Sequence, residues 1–393
     1  HDNGHMAASK RRFRQLLSVA FGLKSAPAWA SVVSSELARI LRSFGVRVAG
    51  VYLDDLLLCG RSRDELTQAL TVCERVCAAL GLDLNDKTVG PCAPEEGIKY
   101  LGVIIRTDTC SYRVCPNYAE YACDKLSDCM RRKWISLKDL ESVAGICSWI
   151  AFAMIEGRPR RNVMYRAAAR MQSSGEKRVR VRGELKRQLS WWLHKLKKVS
   201  EPSSFFYPVQ PVTPVMCSDA SGVDGWGVCT MGYHIVGRWP ESWRQSAGKS
   251  ARSMLYMELL PPVVAVIVLA RLFESNVWCT ALDNAGAAFV LNKLSCGCPF
   301  ALELLRRLAD SLAANRAGLL AGHAHRAKNS HSDDLSHVMT SSLWSQVLEG
   351  VPLTRPHRDE VHFVISELRT GECWAATIGF LQPSRPSVPD VAL

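Results

Sequence analysis

The 393-residue chain has no apolar run long enough to cross a bilayer: its longest, Leu259 to Ala270, is short and carries Pro261-Pro262. No membrane partner is expected, and no signal-peptide pattern opens the chain. Cys-x-x-Cys pairs are missing too, although fifteen cysteines are dispersed along it, among them Cys73, Cys77, Cys92 and Cys110. That pattern argues against a disulfide framework and for reduced, mostly buried thiols in the cytosol or nucleus. Internal repeats are absent. Acidic residues are in the minority, 37 Asp and Glu against 49 Lys and Arg, for a formal charge of +12. The excess is local. Residues 131 to 198 hold eighteen Lys or Arg against five Asp or Glu, a net +13, so the remainder is nearly neutral. Such a segment is the expected footprint for a polyanionic duplex held through its phosphates. Solvated helix faces are the plain alternative.

What is present begins with two adjacent carboxylates where a chain would normally place hydrocarbon. Tyr52-Leu53-Asp54-Asp55 sits at the centre of the apolar run Val48 to Leu58. The flanks, with Val46, Val48 and Val51 before and Leu56-Leu57-Leu58-Cys59-Gly60 after, read as two short strands, with the Asp pair at the tight turn of a hairpin. Buried charge needs a compensating ion. Two hard oxygen ligands in one turn, joined by a third carboxylate from elsewhere, suit Mg²⁺ and a two-metal phosphoryl or nucleotidyl transfer. An exposed turn, where Asp is common, is the alternative.

Upstream, Phe21-Gly22-Leu23-Lys24-Ser25-Ala26-Pro27 precedes a helical pattern of Trp29, Val32, Val33, Leu37, Ile40 and Leu41. Downstream, Gly81 to Thr88 precedes the strand-like run Ile98 to Ile105, which contains Tyr100-Leu101-Gly102. Four ordered motifs over about ninety residues are far more specific than one. Their order resembles the palm of a reverse transcriptase. The resemblance implies that Phe21, Gly22, Lys24, Pro27 and Tyr52 lie at the incoming nucleotide and that Lys87 is near its triphosphate. It makes Asp54 and Asp55 metal-binding catalytic acids and puts Tyr100-Leu101-Gly102 in the element that grips the primer. RNA template, DNA primer and dNTPs are the implied partners. The family's third metal-binding Asp lies upstream of the Phe-Gly-Leu motif, in an earlier strand. Here Asp2, within His1 to His5, has no apolar strand before it, and no Met opens the chain. A fragment is therefore expected, polymerase-incomplete, with the fingers and first catalytic strand outside it.

A second acid set starts with Val215-Met216-Cys217-Ser218-Asp219-Ala220-Ser221, a strand-like run, and Gly225 to Val228 reads as its return strand. Glu258 lies beside the apolar Val263 to Leu272, Asp283 follows the strand-like Val277 to Leu282, and Asp333 follows Gly322-His323-Ala324-His325. Separations of 39, 25 and 50 residues place the acids on different elements. From there they can converge on one end of a mixed sheet and hold two Mg²⁺ flanking a scissile phosphate. Taken singly, each is an ordinary surface carboxylate. The set resembles a ribonuclease H domain. By that resemblance Asp219, Glu258, Asp283 and Asp333 are catalytic and metal-binding, with two Mg²⁺ or Mn²⁺ per site, and Asn284 and Asn329 support them. His323 would assist product release or water positioning, work suited to imidazole. An RNA:DNA hybrid is the implied substrate. A zinc site from His323, His325 and His331 is disfavoured without Cys-x-x-Cys. Pro261-Pro262 departs from the family: either the helix begins around Glu258 with both prolines in its opening turn, or Glu258 sits on a loop.

The expected fold class is multidomain, α/β and α+β. A partial reverse-transcriptase palm spans 1–112, a basic helical thumb and connection 113–200, and a Pro-rich linker 201–214. A ribonuclease H-like mixed sheet with flanking helices spans 215–340, and 341–393 is an unassigned tail. In the connection, Leu137, Leu140, Val143, Ala144, Cys147 and Ile150 have helical spacing, and Gly157-Arg158-Pro159-Arg160 breaks it. Trp134, Trp149, Trp191 and Trp192 are assigned to the core. Leu137 to Trp149, Gly157-Arg158-Pro159 and Tyr165, followed by Ser218 to Ser221, resemble tyrosine-recombinase (DIRS-like) retrotransposons more than retroviral or Gypsy-type enzymes. The implied function is RNA-directed DNA synthesis with hydrolysis of RNA in hybrids. The rival from another class is a catalytically silent nucleic-acid scaffold that keeps both folds. An unrelated nuclease or transposase with the ribonuclease H fold is the third reading.

Overall fold

A computed structural model of the chain describes residues 24–82, 84, 88–198, 204–205, 215–222, 225–230, 233–239, 251–269, 277–324, 336 and 376–380. Phe21, Gly22, Lys87, Asn329 and Asp333 lie outside the described residues, as does most of 201–214. The chain divides into two compact units, residues 1–101 and 102–393, and each is taken by itself.

In the first unit, α1 (Ala26–Ser43) has proline in its opening turn, where the missing N–H costs nothing. Strands β1 (Arg47–Tyr52) and β2 (Asp55–Cys59) form an antiparallel hairpin in which Tyr52 faces Asp55, leaving Leu53-Asp54 as the turn. Leu53 takes φ +51°, a left-handed conformation uncommon for a branched side chain. Helix α2 (Arg63–Ala79) starts at Ser62, whose hydroxyl accepts the Glu65 N–H at 3.1 Å. The two helices and the hairpin close over a small core of Ala38, Leu41, Val46, Val48, Ala69, Cys73 and Cys77. Strand β3 (Ile98–Tyr100) ends the unit.

The run Ile98 to Ile105, read above as a single strand, is broken: Leu101 and Gly102 take φ +47° and +81°. Glycine is needed at 102 for a second reason, since a Cβ there would lie 3.1 Å from Trp149 Nε1. The second unit opens with β4 (Val103–Arg106) and β5 (Ser111–Val114), an antiparallel pair. Next come α3 (Pro116–Arg131), β6 (Trp134–Ser136) and α4 (Leu137–Ala153), the last opened by a Ser136/Asp139 capping box. A 3₁₀ turn at Ile155–Gly157 makes the expected break. Then follow α5 (Asn162–Ser174), β7 (Arg178–Arg180) and α6 (Gly183–Leu196), and β8 (Ser204–Phe205) pairs with β5. These helices enclose one core, in which Leu126, Leu140, Cys147, Met164, Leu189 and Trp192 are fully buried or nearly so.

The remaining elements build a six-stranded sheet. They are β9 (Val215–Ala220), β10 (Gly225–Thr230), β11 (Tyr233–Arg238), α7 (Ala251–Leu269), β12 (Val277–Leu282), α8 (Ala285–Lys293), α9 (Pro299–Ala314), β13 (Gly318–His323) and β14 (Ala376–Phe380). The sheet order is β13-β12-β9-β10-β11-β14, parallel across the first three strands and antiparallel across the others. Helix α7 is apolar nearly all round because it is buried nearly all round. The two segments of the unit are joined by polar contacts: Arg160, itself buried, donates to Asp310 at 2.7 Å, and Arg306 pairs with Glu184 at 2.7 Å.

Two expectations need correction. Pro261 and Pro262 lie in the middle of α7, so neither an opening turn nor a loop at Glu258 is found. They delete the N–H groups that would donate to the carbonyls of Met257 and Glu258, at about 3 kcal/mol for an interior proline. Burial of Leu259, Leu260, Val263, Val264 and Val266 outweighs that, at about 1.5–3 kcal/mol per side chain. The second correction concerns tryptophan. Trp192 is buried, but Trp134 and Trp149 are 49% and 39% exposed. Among the described residues no helix is long and apolar enough to cross a membrane. The described cysteines are free thiols, and burial pushes several of them up, Cys73 to about 12.

Candidate active site

Three acids meet at one end of the mixed sheet. Asp219 is the penultimate residue of β9 and faces Gly227 across the strand pair. Glu258 is carried by α7 and Asp283 directly follows the last residue of β12. One carboxylate oxygen from each can be chosen so that all three lie within 4.8 Å of one another. Asp219 and Glu258 are buried and Asp283 is half-buried. Hard oxygen donors crowded together in a poorly hydrated place favour a small divalent cation, because like charges at this spacing repel unless a cation lies between them. The donor set therefore fits Mg²⁺ or Mn²⁺, and does not suit a soft metal.

The backbone around Asp283 is fixed from both sides. Asn284 caps α8, its side chain accepting the Ala287 N–H at 3.0 Å, so strand end and helix start hold Asp283 between them. β12 and β13 pair in parallel with Leu282 opposite His323, and Ala324 N–H reaches the Leu282 carbonyl at 2.8 Å. Asn292 of α8 makes two 2.8 Å hydrogen bonds to the backbone of Ala321, which pins the helix to β13. His323 is the last residue of β13. It is exposed, with Nε2 3.1 Å from the Asp283 carbonyl oxygen. Ser336 is the residue that reading the sequence missed as a partner: its hydroxyl donates to Asp219 Oδ2 at 2.9 Å, and the pair is buried. Its only signal was a position three residues after Asp333.

The other acid pair stands differently. Asp54 and Asp55 are both exposed at the hairpin turn, and Tyr52 beside them is 47% exposed. Among the described residues no third carboxylate groups with them. Tyr100 lies close by, since a Cβ on Gly50 would stand 3.1 Å from its hydroxyl, and burial together with the Asp55 carboxylate pushes the phenol up. Lys24 and Pro27 are exposed at the start of α1.

Residues 5–105 match the family described as reverse transcriptase (RNA-dependent DNA polymerase). No curated protein matches the chain. Solved structures that resemble it include a foamy viral protease-reverse transcriptase in complex with dsDNA, at 15% identity and a TM-score of 0.37, covering 77% of this chain and 59% of that one. The same viral protein in complex with RNA/DNA hybrid gives 14% identity and a TM-score of 0.39, covering 75% and 37%. Its dRH form in complex with ds DNA gives 14% and 0.37, covering 75% and 48%. The chain thus spans roughly two to three fifths of the length of these structures.

Proposed function

We propose that residues 215–340 form a ribonuclease H domain that hydrolyses the RNA strand of an RNA:DNA hybrid, within a retroelement reverse transcriptase whose palm includes 5–105. The reading is supported above all by the meeting of Asp219, Glu258 and Asp283 at the end of a mixed sheet. Asp333 is the fourth acid in this reading and Asn329 its support. Two bound Mg²⁺ would activate the attacking water and stabilise the leaving 3′ oxygen. The chain's own groups place the oxygen ligands: Asp219 from a central strand, Glu258 from a buried helix, and Asp283 from a strand end fixed by Asn284. Ser336 sets the rotamer of Asp219 by donating to Oδ2. His323, on the solvent side of Asp283, assists water positioning or the departure of product.

For the palm we assign Asp54 and Asp55 to metal binding in DNA synthesis, with Lys24, Pro27 and Tyr52 on the nucleotide side. Phe21, Gly22 and Lys87 belong to the same assignment, with RNA template, DNA primer and dNTPs as partners. The intervening 113–200 is the thumb and connection, in the cytosol or nucleus, and the motifs from Leu137 to Tyr165 support a DIRS-like element. The test is cleavage of a labelled RNA strand in an RNA:DNA hybrid, with Asp219→Asn and Asp283→Asn as controls. Mg²⁺-dependent cleavage by the unaltered protein alone is expected. Hybrid binding without cleavage would turn the reading to a silent scaffold, and preferred cleavage of duplex DNA to another nuclease of this fold.

A further inference from the structure

The outer face of a small β-ribbon in the second unit carries an aromatic among cations that form no ion pair among the described residues. β6 and β7 are antiparallel with Trp134 opposite Arg180, Ile135 opposite Val179 and Ser136 opposite Arg178. Alternation along each strand sends Ile135 and Val179 into the core and leaves Trp134, Arg178 and Arg180 on the opposite face. Trp134 is 49% exposed, and Arg180 sits directly across from it with Cβ atoms about 5 Å away. Lys133, Lys177 and Arg182 flank the ribbon and are exposed.

Several cations elsewhere in the unit are held in ion pairs. Arg106, Arg131, Arg132, Arg160, Arg187, Lys195 and Arg306 each meet a carboxylate. Among the described residues, Lys133, Lys177, Arg178, Arg180 and Arg182 meet none, and neighbouring Glu176 forms no ion pair with them. Five like charges over a ribbon about 10 Å long repel one another, and a polyanion relieves that repulsion. An indole left half in water within the same patch adds a flat apolar surface, which a phosphate chain alone does not use.

We propose that this ribbon is a binding site for unpaired nucleic acid, with a base stacked on Trp134 and the adjoining phosphates held by Arg178 and Arg180. Stacking requires a base that is free of its partner strand, so the ligand is a single strand and not a duplex. The site shares no residue with the acid cluster and does not depend on hydrolysis there.

The test measures fluorescence anisotropy of a labelled twelve-nucleotide oligo(dT) and of a twelve-base-pair DNA duplex in EDTA, across a salt series. Trp134→Ala is expected to weaken oligo(dT) binding about tenfold, the size of one base–aromatic stack, and to leave the duplex within twofold. Arg178→Gln with Arg180→Gln is expected to lower the log–log salt slope for oligo(dT) by about 1.4, near 0.7 per phosphate contact on a single strand. Photocrosslinking of a 5-bromodeoxyuridine oligonucleotide is expected to mark Trp134. Because about half of that side chain is in solvent, its loss should lower the melting temperature only modestly and leave the fold intact. An unchanged oligo(dT) affinity in Trp134→Ala, equal losses on strand and duplex, an unchanged slope in the arginine variant, or crosslinks confined to other segments would each overturn the proposal.

Discussion

Asp283→Asn should move activity and stability in opposite directions. Without a divalent cation, three carboxylates with oxygens within 4.8 Å of one another repel, and at an effective dielectric of about 20 each fully charged pair costs about 3.5 kcal/mol. Solvent screens the half-buried Asp283, so the substitution should stabilise the metal-free protein by only about 1–2 kcal/mol. In a domain of this size that is a rise of roughly 2–6 °C in Tm. With Mg²⁺ the order reverses. Unaltered protein gains about 2.7 kcal/mol when the ion stands at a hundred times its Kd, whereas the variant has lost a ligand and gains far less. Scanning fluorimetry of both proteins, first in EDTA and then through a MgCl₂ titration, measures the two shifts, and hybrid cleavage run alongside should be lost in the variant. A variant that melts below the unaltered protein in EDTA, or an equal Mg²⁺ shift in both, would refute the reasoning.

Ser336→Ala removes the 2.9 Å hydrogen bond to a buried carboxylate, worth about 1.5 kcal/mol. Cleavage should slow about tenfold with hybrid affinity unchanged, and Ser336→Thr should recover most of the rate; a change confined to affinity would remove Ser336 from the positioning role. Gly157→Ala would set a Cβ 2.2 Å from the buried Trp192 ring, and the overpacking should cost about 3 kcal/mol in urea unfolding. A loss under 1 kcal/mol would show that the indole can move aside. Primer extension on poly(rA) with oligo(dT) should be weak or absent, since Asp54 and Asp55 have no third acid beside them among the described residues. Robust extension by the purified chain would contradict this.

Local pattern alone carried much of the architecture. The alternation of apolar residues around Tyr52 to Asp55 determined a hairpin with the acids at its turn, because a strand period of two and a pair of turn residues leave few other arrangements. The same logic placed Asp219 near the end of a strand paired with its return strand, and put Asp283 just after β12. The helix from Leu137 and its break at Gly157 were equally plain, since a 3.6-residue apolar stripe and its Gly-Pro break are written in adjacent residues. Only the tertiary structure decided what depends on distant partners. Two consecutive prolines read as a helix start or a loop until the burial of α7 on nearly every side outweighed their cost. Trp134 and Trp149 read as core because an indole is mostly apolar, yet nothing near them in sequence says which strand or helix face turns outward. Ser336 stands 117 residues from Asp219, and a hydrogen bond over that separation exists only once the sheet has brought both chain segments to one end.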